Sequence, residues 1–287
     1  MSSLFVNIFN GIVIGTIYAL SALGISLILG AMNVMNFAHG EFYIFGAYFS
    51  YFFSRSLGFS PLIAILLSLG LIFWIGFLVE KTLIRSTYGN LMDSLIITFI
   101  LSIVLQNIAL IIFGPYPKKP PSWIRGSINV LDLFYYSSQR LITFIVAVLL
   151  LILFFIVMNK TWFGKIVRAI SADREVASLM GINCDKVNSF SFGFGVALAS
   201  VAGAIISPIF GVTPMGGVGI GLTSVVVVVL GGMGSFKGCV IGGLLLGIIE
   251  NIGVAYISSG YRNIFGFIIL ILILLFRPSG LFGTTIK

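Results

Sequence analysis

The sequence predicts an all-α fold, a polytopic bundle of about eight to nine transmembrane helices with broken helices among them. Three observations carry this reading. Residues of the AVILMFWYC set make up 59% of the 287-residue chain. Only 8% are charged, against roughly 25% in soluble globular chains. Uncharged stretches near the length that crosses a bilayer recur from one end to the other. Mean hydropathy is +1.17, and a soluble particle cannot cover itself with so few ionised groups. Disorder, collagen and disulfide scaffolds are excluded, since the 34 Gly follow no triplet period and two Cys frame nothing. A net charge of +8 is spread thinly, without a basic stripe. Cations beside spans account for it, and no nucleic acid partner is expected.

A span needs about 20 mostly apolar residues. In chain order the predicted spans lie near 4–30, 37–53, 61–79, 93–113, 141–158, 189–210, 219–236, 238–257 and 263–277. The first 40 residues lack Lys and Arg, so the basic n-region of a cleaved signal is missing and the first stretch is expected to stay as a span. Val187 to Phe236 holds 50 residues without a charge, which as one helix would run about 75 Å. Pro208, Gly211, Pro214, Gly216 and Gly217 mark where it folds back. The last span has 14 uncharged residues between Arg262 and Arg277, whose side chains can snorkel to opposite interfaces. The whole chain, 1–287, is expected to be a single transmembrane domain containing a basic loop, 159–188.

Lys and Arg in loops favour the cytoplasm. Lys81 and Arg85 fall in one short loop, and Lys160, Lys165, Arg168, Arg174 and Lys186 in 159–188; both are assigned inside. Parity puts the loop with Lys118, Lys119, Arg125 and Arg140 outside, and nine spans put the N-terminus outside. With Lys237, Arg277 and Lys287 inside and Arg55 and Arg262 outside, the tally is ten against six.

Three segments carry chemistry. Between the first two spans Asn33, Asn36, His39 and Glu41 crowd into nine residues flanked by Gly30 and Gly40. A broken helix end that meets a polar solute would use this composition; a hydrated interfacial loop would too, and both readings stay open. In 159–188, Asp173, Glu175, Ala177, Leu179 and Met180 suit a short amphipathic helix stopped by Gly181. Such a helix docks another protein or lies on lipid. Third, Leu230-Gly231-Gly232-Met233-Gly234-Ser235 joins two spans, and Gly238, Gly242, Gly243 and Gly247 follow at spacings that permit close helix approach. Glu250 and Asn251 then fall within an apolar stretch, as path groups or as structural glue. Leu29-Gly30-Ala31-Met32 shares a pattern with Leu230-Gly231-Gly232-Met233, a hint of two internal repeats.

Taken in order, Gly15-Thr16-Ile17-Tyr18-Ala19-Leu20, Asn36-Phe37-Ala38-His39-Gly40-Glu41-Phe42, Asp173-Arg174-Glu175 with Leu179-Met180-Gly181-Ile182, Leu230 to Ser235, and Phe276-Arg277-Pro278-Ser279-Gly280-Leu281-Phe282-Gly283 resemble the permease subunit of branched-chain amino-acid ABC importers, the LivH type. One departure is Val176, where that family usually has Ala. The resemblance implies a multi-pass protein of the bacterial inner membrane. It implies as partners a second homologous permease, two ATP-binding cassette ATPases and a periplasmic substrate-binding protein. The helix from Arg168 to Ile182 would then be the coupling element seated in the ATPase.

The chain has no Gly-x-x-x-x-Gly-Lys-Ser/Thr phosphate loop. It is therefore not expected to hydrolyse ATP by that route, and the resemblance implies a transport subunit rather than an enzyme, binding no cofactor itself, with ATP and Mg used by partner subunits. With one His in the chain, no catalytic or metal cluster is expected. A zwitterionic solute needs a few polar groups among apolar walls, and Asn33, Asn36, His39, Glu41, Glu250 and Asn251 are the candidates. Urea, amides or other amino acids are alternative cargoes of the same permease type, with selectivity resting largely on the binding protein. An ion-coupled secondary carrier would share broken helices and buried carboxylates but need no docking helix.

Overall fold

The computed structural model describes residues 2–124, 126–130 and 134–283. Arg125 and Lys287, counted in the charge tally above, lie outside the described residues. Eleven α-helices are present among the described residues. They are α1 (Ser2–Met32), α2 (His39–Tyr51), α3 (Pro61–Val79), α4 (Leu91–Phe113), α5 (Ser138–Lys160), α6 (Trp162–Ala172), α7 (Arg174–Leu179), α8 (Cys184–Phe210), α9 (Gly217–Gly231), α10 (Phe236–Tyr256) and α11 (Arg262–Phe276). Every predicted span corresponds to one of them. Seven of the helical stretches are long and apolar enough to cross a membrane, and 264–276 forms a shorter apolar helix. The chain is thus a multi-pass membrane protein. α2 is only 13 residues, continued by a π turn at 52–56, because it starts deep inside the bundle, as shown below.

Local chemistry sets the helix ends. Pro61 occupies the first turn of α3, where its missing N–H is not needed. Asn90, Asp173, Asn183 and Ser235 cap α4, α7, α8 and α10 by accepting from first-turn amides. Pro208 ends α8 within one turn, and Gly211 turns the chain toward α9 as expected. Between α4 and α5 the prediction gave only a loop, whereas the structure has an antiparallel hairpin, β1 (Ser127–Val130) with β2 (Phe134–Ser137).

Loops gather at two ends. At the hairpin end, Lys118 pairs with Val212 through the backbone, Asn10 of α1 accepts hydrogen bonds from Tyr136 and Arg140, and Asn251 donates to the Asn7 carbonyl at 2.5 Å. At the opposite, basic end, Ser171 donates to the Gly30 carbonyl at 2.5 Å. There the tail folds back so that Leu281 N–H donates to Leu230 O at 2.9 Å.

The core is α1 and α8, enclosed by α2, α9 and α10. Lipid tails supply no hydrophobic drive between helices, so close packing must hold them together. Both predicted glycine rows of α10 are used. Gly243 and Gly247 lie on Gly15 and Gly11 of α1, and Gly238 and Gly242 lie on Gly231 and Leu230 of α9. A Cβ on Gly15 would stand 2.8 Å from the Gly243 carbonyl oxygen, closer than real contacts allow. Cys184 and Cys239 are free and buried.

Gly15→Leu is expected to overpack this seam at a cost of about 1–3 kcal/mol and to lower the thermal unfolding midpoint of the detergent-solubilised protein. Gly70→Leu, at a position with open space around it, is the control and should leave the midpoint unchanged.

Candidate functional site

The centre of the site is the break between α1 and α2. Asn33 has φ +53, the one positive φ among described non-glycine residues, and Asn tolerates this left-handed conformation better than most side chains. The chain then doubles back without helix to His39. His39 Nε2 donates to the Ser21 carbonyl at 3.0 Å; since a carbonyl only accepts, Nε2 carries the proton and Nδ1 is left as an acceptor. Ser21 lies about 16 Å along α1 from Met32. The first residue of α2 is therefore deep in the bundle, as the broken-helix reading requires and the interfacial-loop reading does not.

Around this turn the polar groups are buried and only partly satisfied. Asn36 Oδ1 accepts from Ala38 N–H at 3.0 Å, and Glu41 Oε1 accepts from Ser102 Oγ at 3.3 Å. Asn36 Nδ2, His39 Nδ1 and Glu41 Oε2 are buried without a protein partner. The Glu41 carboxylate lies on Gly217, the first residue of α9, and Gly40 lies on the Gly217 carbonyl, so a side chain fits at neither glycine. A carboxylate at a helix N-terminus gains from the amide dipoles there.

Two cavities flank this layer. One of about 330 Å³ opens at the basic end, with Gly30, Asn33, Asn90, Ser94, Ser171 and Arg174 on its walls. The other, about 270 Å³, lies toward the hairpin end, where Tyr18, Tyr43, Thr213 and Arg262 join an apolar lining. Along α1 the order is hairpin-end cavity at 14–18, His39 contact at Ser21, basic-end cavity at 30–34. Glu250 is buried beside the hairpin-end cavity and accepts from Tyr18 Oη at 2.8 Å. Asn251 is likewise bonded to α1, donating to the Asn7 carbonyl.

At the basic end the predicted single amphipathic helix is two, α6 and α7. Asp173 caps the second, accepting from Glu175 and Val176 N–H at 2.9 and 3.0 Å, and an N-cap needs an extended backbone that interrupts the first helix. Ala177 is buried against Ile170 and Cys184. Arg168 donates to the Met158 carbonyl at the end of α5. Glu175 is exposed, and Leu179 and Met180 are 85% and 79% exposed. Gly181 has φ +83 and closes α7.

Sequence reasoning missed two groups. Ser94, Thr98 and Ser102 form a stripe at four-residue spacing on α4 that faces the break; Thr98 Oγ1 donates to Met35 O at 3.2 Å. Polar residues repeating every four in an apolar helix were the available signal. The second group is centred on Glu80, fully buried, which accepts from Tyr88 Oη, Ser189 Oγ and, at 3.4 Å, Arg85. Burial and this carboxylate hold the Tyr88 phenol well above its usual range, so it remains a donor. Arg174 lies over the Tyr88 ring at 4.9 Å and pairs with Asp185 at 3.2 Å. Helix α7 is thus tied to α8 and to the segment between α3 and α4.

Residues 7–275 match the family profile described as "Branched-chain amino acid transport system / permease component". The chain is 34% identical to the high-affinity branched-chain amino acid transport system permease protein LivH of Salmonella typhimurium, over 96% of this chain and 94% of that one. It is 30% identical to the corresponding permease protein BraD of Pseudomonas aeruginosa, again over 96% and 94%. Among solved structures, PsaBC from Streptococcus pneumoniae in complex with Fab shares the fold, with a TM-score of 0.52 at 15% identity over 94% of this chain and 91% of that one.

Glu80→Ala is expected to strand the Tyr88 donor at a cost of about 1–3 kcal/mol, Ser189 keeping the Asp185 carbonyl as acceptor, and to lower the thermal unfolding midpoint in detergent. Glu175→Ala, at an exposed position of the same end, should not move it.

Proposed function

The chain belongs to the family of branched-chain amino acid transport permease components, and from that premise we propose that it is the membrane subunit of an importer carrying aliphatic amino acids across a bacterial inner membrane. The observation that carries the path is the order along α1: a cavity, a buried polar layer, a second cavity. A solute admitted at the hairpin end would meet Glu41, His39 and Asn36, then leave past Asn33. His39 acts by anchoring α2 to α1, and Glu41 by presenting a carboxylate at the α9 N-terminus. In this reading the basic end is cytoplasmic, in accord with its Lys and Arg.

The energy comes from partners, since the chain has no phosphate loop. A homologous permease, two ATPases using ATP and Mg, and a periplasmic binding protein complete the importer. Helices α6 and α7 receive the ATPase. Val176, Leu179 and Met180 are exposed on a helix fastened by Arg174, Asp173 and Ala177, and exposed apolar side chains on a rigid mount suit a helix-in-groove contact. Arg168 positions α6 against α5 in this arrangement. The reading is tested by uptake of labelled leucine, urea and amides into vesicles holding the full complex. Leucine uptake that needs ATP and the binding protein supports it; uptake by this chain alone supports a secondary carrier.

Two substitutions probe the parts separately. Gly181→Val places a β-branched residue at φ +83, a strain of at least about 1–2 kcal/mol, in a position with free space around it. Normal membrane levels, weaker ATPase retention on purification and loss of uptake are expected; full retention with full uptake would remove α7 from the coupling role. Glu41→Gln keeps the shape and removes the charge. The complex should assemble and fail to import, whereas unchanged uptake would return Glu41 to a packing role.

A further inference from the structure

We propose that the hairpin-end cavity is a binding site for one aliphatic α-amino acid within the permease itself, with Arg262 holding the carboxylate. The proposal rests on the reading of this chain as an amino-acid importer and adds to it a selectivity of its own, independent of the binding protein.

The walls match the ligand group by group. Ile14, Ile17, Ile44, Ile206 and Ile220 line the chamber, so a branched hydrocarbon side chain meets branched hydrocarbon. The volume, about 270 Å³, is just below the range of drug-sized ligand pockets, roughly 300 to 1,000 Å³, and suits a single amino acid better than a peptide. Arg262 begins α11, half-buried, and no described residue hydrogen-bonds to it or forms a salt bridge with it. Arg262 is within electrostatic reach of Glu250 but makes no direct pair with it, and its planar fork accepts a carboxylate with two parallel hydrogen bonds.

The ammonium has a counterpart as well. The Tyr18 side chain lines the cavity, and its one hydroxyl proton is committed to Glu250. Its oxygen keeps acceptor capacity for an ammonium and is backed by a buried carboxylate. The cavity also touches Phe210 and Gly211, where α8 ends, and the last carbonyls of a helix carry partial negative charge. A cation on one wall, an acceptor backed by an acid on another and five isoleucines form a receptor for a zwitterion with an aliphatic tail. Neither a neutral amide nor urea would use Arg262 in this way.

The test uses the assembled complex of both permeases and both ATPases in nanodiscs, without the binding protein, and measures equilibrium binding of labelled L-leucine. Unlabelled L-leucinamide, which lacks the carboxylate, serves as competitor. Arg262→Gln is expected to weaken leucine binding by about tenfold or more, the loss of a charge-assisted pair, Arg262→Lys to recover part of it, and leucinamide to compete equally weakly against both. Assembly of each variant is checked by size and by ATPase retained. Wild-type affinity in Arg262→Gln, or a wild-type complex that imports leucine with its binding protein yet binds none without it, overturns the site. A wild-type complex that imports no aliphatic amino acid at all overturns instead the functional reading on which the site rests.

Discussion

Backbone amides and carbonyls inside a bilayer must find partners, and that requirement bears hardest on the six residues between Met32 and His39, which return into the bundle without a helix. The segment survives there because neighbouring helices supply partners to its polar groups. The imidazole of His39 reaches Ser21 on one side, Thr98 reaches the Met35 carbonyl on the other, and the Asn36 side chain satisfies Ala38. Because the return is deep, α2 starts at mid-depth and Glu41 meets the first residue of α9. Both cavities owe their separation to this one turn.

The glycine seams serve the same turn from a distance. Gly24 leaves room for the imidazole, since a Cβ there would stand 2.9 Å from His39 Cε1. Gly40 and Gly217 let two helix starts touch, and α10 holds α1 and α9 at backbone contact through its two rows. At the basic end, α6 is bonded to α1 through Ser171 and Gly30, while α7 is bonded to Tyr88 and Asp185 near α3 and α8. The break at Asp173 means that α6 reaches α1 and α5 while both short helices rest on α8.

Much of this was legible in the sequence. Hydrophobic stretches follow directly from bilayer thickness, so nine segments were found at nearly their true ends. The Asn33–Glu41 cluster stood out because polar groups between apolar runs are costly. Gly181 was marked as a helix stop from composition alone, and its φ of +83 is the reason. What was hidden depends on partners distant in the chain. Glu80 adjoins the end of the predicted span 61–79, and only the fold brings Ser189, 109 residues on, over it. Arg262 looked like a snorkelling anchor, and only the folded positions of α1, α2 and α8 place it on a cavity wall. Nor did composition distinguish one docking helix from two, since a single capping Asp divides them.

The two cysteines, finally, are both buried, Cys239 completely and Cys184 beneath α7. Buried thiols in apolar surroundings are inert. The folded subunit therefore offers thiol-directed alkylating reagents no ready target, and a reporter cysteine placed at an exposed position such as Met180 would react against a silent background.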